Sequence, residues 1–578
     1  MEKWLITNIY KNPEDTDFKN AVSLKNNFVF LHGFNQDAYY YDNNDNSGLF
    51  LSGYYIPRLN SSLADNSLKS LYKLIVDQGY EINDLIKGVF TVIIIRKGNF
   101  YVYNDPLGLS KFFYTNLADR AMISNKIRCI KRTLNPAMSK ESALQYYVFN
   151  YQLNGDTFYE GIKYSEPGSL IQLNKTGNVA LICYIDIIQY LSKQNKNLSK
   201  KETFGQAKDL WLRIMQQWKN LFNGNKLSIT LTSGLDSRII LGCFLESDYN
   251  NFEAFTFGHK QSNDVHYAKL LAQRYNVPHK HLYPDQSFFN NYENKAREVF
   301  NKGQGLVSLY RAHRLDAYRN IMKDSSAIFM GLAGSDLVRG IGYDGLIVTP
   351  VAFHAWHNQE FENFFKNNRI TDHLRELGFD KLDYILDRTK QYDYIRHPVK
   401  YLFKVVIPLH FGQDVLMNKH MGYKTIVPFL DIDYLEFLSH TGYFGFEDYT
   451  NYRLYDYKKR SRGLFYSAKL VKSINSDLSG FTLGKKYTPN DILKSRLLVL
   501  LKTYYYKKTK KKYFPPNFTY GEWFYDYLFK FLNNNNPQDV YLNHQYLKKQ
   551  LAKTSKQGGE FQFIDFTRAV NLLLAKEL

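Results

Sequence analysis

Cysteine is almost missing. The 578 residues hold three, Cys129, Cys183 and Cys243, far apart and with no CxxC pair. Such spacing excludes a disulfide framework and gives no zinc signature. Long apolar runs are missing too: no stretch reaches the roughly 18 uninterrupted apolar residues that a membrane helix needs. The opening Met1-Glu2-Lys3-Trp4 has no charged-then-apolar leader pattern. The expected compartment is the cytoplasm, with no membrane partner. No GxxxxGK[ST] loop is present, which removes the common lysine-bearing nucleotide motif.

Negative charge is the scarcer sign. Lys and Arg number 75 against 55 Asp and Glu, a net +20. The lysines are spread along a chain also rich in Asn, Tyr and Ile, as an AT-rich coding sequence would produce. The one dense run, Lys507, Lys508 and Lys510 to Lys512 after Tyr504 to Tyr506, reads as a solvated helix end. A nucleic-acid partner is not expected. What is present in quantity is a core: 44% hydrophobic and 22% charged residues exclude a wholly disordered chain. At roughly 150 residues per domain, two to four domains are expected.

Residues 1 to about 185 read as mostly β. Phe28 to His32, Gly88 to Arg96 and Phe100 to Asn104 are β-branched or aromatic runs between Asn, Asp and Gly clusters. Lys97-Gly98-Asn99 suits a tight hairpin, and Ser67 to Gln78 has helical spacing. Glu166-Pro167-Gly168 is a turn ahead of a second hairpin. Ser192 to Glu202 is the best linker.

Strands and helices then alternate. Phe204 to Leu221 reads as a helix, Lys226 to Thr232 as a buried strand and Arg238 to Leu245 as a helix. Phe252 to Phe257 is a strand, Asp264 to Tyr275 a helix and Ala327 to Gly331 a strand. That order predicts a parallel sheet with helices on both faces. From about 350 onward the chain reads as largely helical, with a polar break at Asn533 to Pro537.

The most informative stretch is Thr232-Ser233-Gly234-Leu235-Asp236-Ser237, where a buried strand delivers a small-residue turn into a helix. Unpaired N–H groups and the helix dipole favour an anion there. Thr232, Ser233 and Ser237 add hydroxyls, and Gly234 allows close approach. Asp236 repels a phosphate unless Mg²⁺ lies between them. An ordinary Ser-Gly turn with Asp as a helix cap would use the same residues.

Leu231 to Arg238, LTSGLDSR, resembles the SGGxDS pyrophosphate loop of the asparagine synthetase family, with Ser233 in place of a Gly and Arg238 where a second Ser is common. Three further segments follow in the family's order. Asn263-Asp264 with Tyr267-Ala268 resembles the acidic pair and helix after the second strand. Gly331-Leu332-Ala333-Gly334-Ser335-Asp336-Leu337 resembles the SGEGxDE turn, and Val427 to Asp431 the RxPFLD segment.

The resemblance implies ATP at a sheet's carboxyl edge, its adenosine near Leu231, Phe257 and Gly331. Pyrophosphate would lie against Thr232, Ser233, Gly234, Ser237 and Gly334, with Mg²⁺ shared by Asp236 and Asp336. The position agrees with general physics, since ligands bind outside the carboxyl ends of parallel strands. Ala333 and Leu337 stand where the family has glutamates. Lys458 to Arg462 resembles its KxxLR segment, which makes Lys458, or else Lys459, the phosphate-steadying lysine.

Gly88-Val89-Phe90, Asp105-Pro106-Leu107-Gly108, Phe112 to Tyr114, Tyr159 to Ile162 and Pro167-Gly168 resemble the class II glutamine amidotransferase domain of the same family. Its chemistry needs an amino-terminal cysteine. Here Met1 precedes Glu2, so glutamine hydrolysis is not expected.

The expected fold is α/β: an Ntn-type αββα domain over 1–185, a parallel-sheet PP-loop ATP-pyrophosphatase domain over 203–490, and a helical extension over 491–578. The expected function is an ATP-dependent ligase that adenylates a small-molecule or peptide carboxylate, releases pyrophosphate and passes the acyl group to an amine. Family relatives without the cysteine include lasso-peptide cyclases and β-lactam synthetases. Free ammonia, or an amine in surface-polysaccharide or peptide natural-product assembly, is an open donor. A non-catalytic ATP-binding scaffold is the alternative from another class, and an RNA-associated protein rests on charge alone. A homodimer or association with pathway proteins stays open.

Overall fold

The computed structural model describes residues 3–7, 20–24, 27–32, 38–339 (apart from 43, 64, 116–120, 150, 175–176, 194–197, 259 and 284), 376, 398–444, 457–509 and scattered positions from 534 to 576. The polar break at Asn533 to Pro537 and Lys510 to Lys512 fall outside them, apart from Asn534.

The amino-terminal part is a sandwich of two antiparallel sheets. One holds β1 (Lys3–Thr7), β2 (Asn20–Leu24), β3 (Asn27–His32), β8 (Phe113–Thr115), β9 (Met122–Ser124) and β10 (Ile162–Tyr164), in the order β10-β8-β9-β1-β3-β2. The other holds β4 (Tyr39–Asp42), β5 (Ser47–Pro57), β6 (Ile86–Arg96), β7 (Asn99–Asn104), β11 (Ser169–Leu173) and β12 (Val179–Cys183), in the order β12-β11-β7-β6-β5-β4. Alternate residues along each strand fill the space between the sheets. Trp4 and Ile6 on β1 meet Ile93 and Ile95 on β6 and Phe100 and Val102 on β7. The opposite face of β6 puts Phe90, Val92 and Ile94 under the helices Leu68–Val76 and Ile82–Leu85. The outer face of the first sheet packs Leu5 and Met122 against the helix Ile127–Leu134. Four layers, αββα, result.

The β6–β7 turn is tighter than the sequence suggested. Arg96 pairs with Asn99, leaving Lys97 and Gly98 as a two-residue loop, both at positive φ. The linker is also shorter at its end, because Ser199 and Glu202 form the capping box of a helix that starts at Lys200 and runs to Asn220.

The second sheet system is five parallel strands in the order β15-β14-β13-β16-β17, comprising β13 (Leu227–Thr230), β14 (Phe252–Phe257), β15 (His279–Leu282), β16 (Ala327–Phe329) and β17 (Lys424–Ile426). The described residues beyond 350 are largely helical, with one strand among them, β17, at the sheet's edge. From β13 the chain builds outward to β14 and β15, then returns to β13's other side with β16. The reversal leaves a crevice at the carboxyl ends of β13 and β16. Among the described residues no helix is long and apolar enough to cross a membrane.

A buried ion cluster joins the two parts. The Lys87 ammonium, 2% exposed, lies 2.9 Å from Asp431 and 2.7 Å from Asp433. Arg58 donates to Asp433 and Glu436, and the Trp218 indole donates to Asp431 at 2.8 Å.

Candidate functional site at the sheet crevice

The helix Leu235–Leu245 starts where β13 ends, and its N-cap, Gly234, offers no side-chain cap. The first-turn N–H groups therefore keep the positive end of the helix dipole facing the crevice. Before them the loop is tied to itself. Thr232 N–H donates to Ser237 Oγ at 3.1 Å, and Gly234 N–H donates to Thr232 Oγ1 at 3.1 Å. Ser233 donates from both its N–H (3.0 Å) and its Oγ (2.6 Å) to one oxygen of Asp264. The Ser233 side chain thus recruits a carboxylate from the first turn of the next helix, Asn263–Arg274.

Asp236 sits on the first turn of Leu235–Leu245, half-buried. Its Oδ2 accepts from Ser335 N–H at 3.0 Å and from Ser335 Oγ at 3.1 Å. Its Oδ1 is shielded from solvent and has no hydrogen-bond partner among the described residues. Burial raises the carboxyl above the usual range, while Arg339 and the Ser335 bonds pull it back.

The turn after β16 is built around that carboxylate. A Cβ at Gly334 would stand 2.8 Å from both Asp236 Cγ and the Phe429 ring, and one at Gly331 would stand 3.1 Å from Ser237 N. Ala333 takes the left-handed φ of 65°. Asp336 is buried on the short helix Gly334–Arg339, and Leu337 beside it is 3% exposed. Behind Gly334, Phe429 packs on Trp211 at 4.7 Å between ring centres, and Tyr434 packs on both.

Thr232, Ser233, Gly234, Asp236, Ser237, Gly331, Gly334 and Asp336 all lie on the turns after β13 and β16. Leu231 is fully buried, with its carbonyl accepting from Thr256 Oγ1 at 2.7 Å. Phe257 ends β14 and faces elsewhere, toward Tyr318 and His313. There it lines a cavity of about 240 Å³ with Leu282, Phe288 and Asn320. Lys458 and Lys459 lie on the helix Tyr457–Ile474, and their side chains are outside the described residues. That helix meets the Gly334–Arg339 helix closely: a Cβ at Gly463 would stand 2.1 Å from Val338 O. Sequence reading missed Ser335 as the partner of Asp236, Arg339 as its neighbouring cation, and Phe429 as the backing of Gly334. Ser335 was the findable one, since it lies inside the quoted turn.

Two carboxylates on neighbouring turns, one with a shielded and unpartnered oxygen, suit a cation that completes its shell with phosphate and water. Among the described residues no three His, Cys, Asp or Glu side chains gather to hold a metal by themselves. Mg²⁺ brought in with a polyphosphate fits such a donor set, because it binds through one or two carboxylates plus phosphates.

No family model matches this chain, and no curated protein matches it. Solved structures with detectable likeness include the NH3-dependent NAD synthetase from Campylobacter jejuni in complex with nitrate. It is 16% identical over 38% of this chain and 96% of its own, with a TM-score of 0.20. The glutamine phosphoribosylpyrophosphate amidotransferase from B. subtilis, complexed with ADP and GMP, is 11% identical over 57% of this chain and 75% of its own (TM-score 0.19). A structure described as the allosteric regulatory enzyme of purine biosynthesis is 11% identical over 50% of this chain and 63% of its own (TM-score 0.20). Likeness this slight settles neither activity nor substrate.

Proposed function

We propose that this chain is an ATP-dependent amide-forming ligase of the asparagine synthetase kind, divided as 1–185, 203–490 and 491–578. A carboxylate attacks the α-phosphorus of ATP, pyrophosphate leaves, and an amine displaces AMP from the acyl-adenylate. The observation that carries this is Asp236: an acid on the first turn of a helix at the crevice, one oxygen fixed by Ser335, the other shielded and unpartnered. Asp236 and Asp336 would hold Mg²⁺, which, when bound, neutralises phosphate charge. The chain's own part is positional. First-turn N–H groups face the anion, Ser335 keeps Asp236 in one rotamer, and Arg339 adds positive charge beside it.

The absence of a lysine-bearing phosphate loop favours attack at the α-phosphorus over transfer of the γ-phosphate. Phosphorus NMR of a turnover mixture is expected to show AMP and pyrophosphate with the right carboxylate, and none with a folded Asp236→Asn variant. ADP with inorganic phosphate would refute the mechanism.

A second reading, an ATP-binding scaffold without turnover, draws on Ala333 and the buried Leu337, which leave that turn with Asp336 as its one acid. Nucleotide bound but unconsumed with every carboxylate and amine tried would favour it.

A further inference from the structure

The helix Arg496–Thr509 turns a charge inward and apolar side chains outward. Three residues tie it down. Val499 packs against the main core, the Lys502 ammonium lies 2.7 Å from Asp491, and the Tyr506 hydroxyl accepts from Asn263 Nδ2 at 2.7 Å. Spaced three and four apart, they share one side of the helix. Asp491 belongs to the capping box of the helix Pro489–Lys494, and Asn263 opens the helix Asn263–Arg274. Anchors on two separate elements fix how the helix is rotated.

Leu497, Leu500, Leu501 and Tyr504 occupy the other side, again three and four apart. They are between 43% and 65% exposed. A helix on a water-facing surface ordinarily turns such residues inward. Single exposed leucines need no explanation, but three leucines and a tyrosine on one stripe do. Lys508 continues the stripe by one more turn, exposed, with its ammonium 5.5 Å over the Tyr504 ring. Lys507, Lys510, Lys511 and Lys512 flank it in the sequence. The apolar stripe thus leads straight into the dense positive run.

We propose that this helix is an interfacial anchor for an anionic lipid surface. Leu497, Leu500, Leu501 and Tyr504 enter the headgroup region, and the lysines meet lipid phosphates. Both halves of the pattern decide the choice. Nucleic acid would use the lysines and leave the leucines without a role. A second copy would set basic against basic, because residues 494–512 hold eight Lys and Arg and no Asp or Glu. An anionic bilayer accepts the leucines and tyrosine at its interface and the lysines at its phosphates. The helix is too short and too mixed to cross the bilayer, so it lies along the surface. Such an anchor replaces the expectation of no membrane partner, which rested on spanning segments and leader patterns.

Flotation of the full chain with lipid vesicles tests the anchor. Vesicles of phosphatidylcholine with about one-third phosphatidylglycerol are expected to carry the protein upward. Vesicles of phosphatidylcholine alone should carry about tenfold less, and added salt should release the bound protein. Leu497→Ser combined with Leu501→Ser is expected to lower the partition about thirtyfold, and Lys507→Gln combined with Lys508→Gln about tenfold. Leu270→Ser, at a leucine 38% exposed on the helix Asn263–Arg274, is expected to change nothing. The comparison of the two vesicle types needs no variant to fold. No flotation on the anionic vesicles, or equal flotation of the double-leucine variant, overturns the anchor. Salt-sensitive RNA retention without flotation would overturn it in favour of a nucleic-acid face. A dimer lost in the double-leucine variant, again without flotation, would overturn it in favour of a dimer face.

Discussion

Asp414 is fully buried and faces Arg311, Arg314 at 2.7 Å and the Tyr318 hydroxyl at 2.7 Å. Burial works to raise its carboxyl, but the two guanidiniums outweigh burial and hold it at about 2. A depressed carboxylate binds fewer protons folded than unfolded, so its stabilisation is complete above the ordinary value of 3.8 and is lost as the pH falls to about 2. Asp414→Asn leaves Arg311 buried without its counter-ion and is expected to cost about 3–5 kcal/mol at neutral pH. It should also flatten the stability profile between about pH 4 and 2. Urea denaturation across that range checks both; equal stability of variant and parent would contradict the pairing. The cysteines allow another prediction at this scale. Cys129 and Cys243 are buried, burial pushes the Cys243 thiol up to about 12, and the thiol of the exposed Cys183 is also raised. Neither Cys183 nor Cys243 has the lowered value of an activated nucleophile, and Cys129 is buried. Added glutamine is therefore expected to release no glutamate above a no-enzyme control, whatever the acceptor.

Among the elements, the turn after β16 is the one most tightly built around the crevice. Gly334→Ala puts a methyl 2.8 Å from Asp236 Cγ and from the Phe429 ring, and neither has room to move while Trp211 backs Phe429. Nucleotide affinity is expected to fall at least tenfold with the melting temperature lowered by only a few degrees. An unchanged affinity would separate that turn from the nucleotide. Strands β13 and β14 and the helices after them were legible because short segments rich in Leu, Ile and Phe, Leu-Ser-Ile-Thr and Phe-Glu-Ala-Phe-Thr-Phe, end in small or polar residues. Other strands were not. β15 reads His-Lys-His-Leu, an edge whose alternation is hidden by charge. β8, β9 and β10 have three residues each, too few to show a period. β5 carries Gly48, Gly53 and Pro57, which look like breakers. In the sheet Gly53 lies where a Cβ would meet Val89 O at 2.1 Å, so the glycine serves close strand approach instead of a turn. In the crevice, the turns carrying Asp236 and Asp336 were readable from local sequence. Their link through Ser335, and the contact of Ser233 with Gly484, join segments about 100 and 250 residues apart and leave no local pattern.

For the molecule as a whole, the sandwich and the parallel sheet share their charges. Lys87 comes from one part and Asp431 and Asp433 from the other. Burial raises Asp431 despite Lys87, whereas Lys87 and Arg58 overcome burial to hold Asp433 below the usual carboxylate range. Asp431 also caps the helix Ile432–Ser439, which presents Tyr434 to Trp211 and Phe429. Expressed as separate fragments, 1–193 and 198–578, each part would carry ions it cannot pair. Separate expression is expected to give poorly soluble fragments and joint expression a complex, measured by size-exclusion chromatography. Two soluble, independent fragments would contradict that coupling.

The same cluster bears on how such a chain drifts over generations. A module that touches its neighbour through few contacts is normally free to erode, shorten or be discarded. Here Arg58, Lys87 and the Tyr54 hydroxyl, which bonds Thr425 O on β17, make the amino-terminal sandwich part of the other half's foundation. Selection on the crevice therefore reaches back into the sandwich. Loops of the sandwich away from that seam can vary at little cost, while its three anchoring side chains are inherited with the parallel sheet or lost with it.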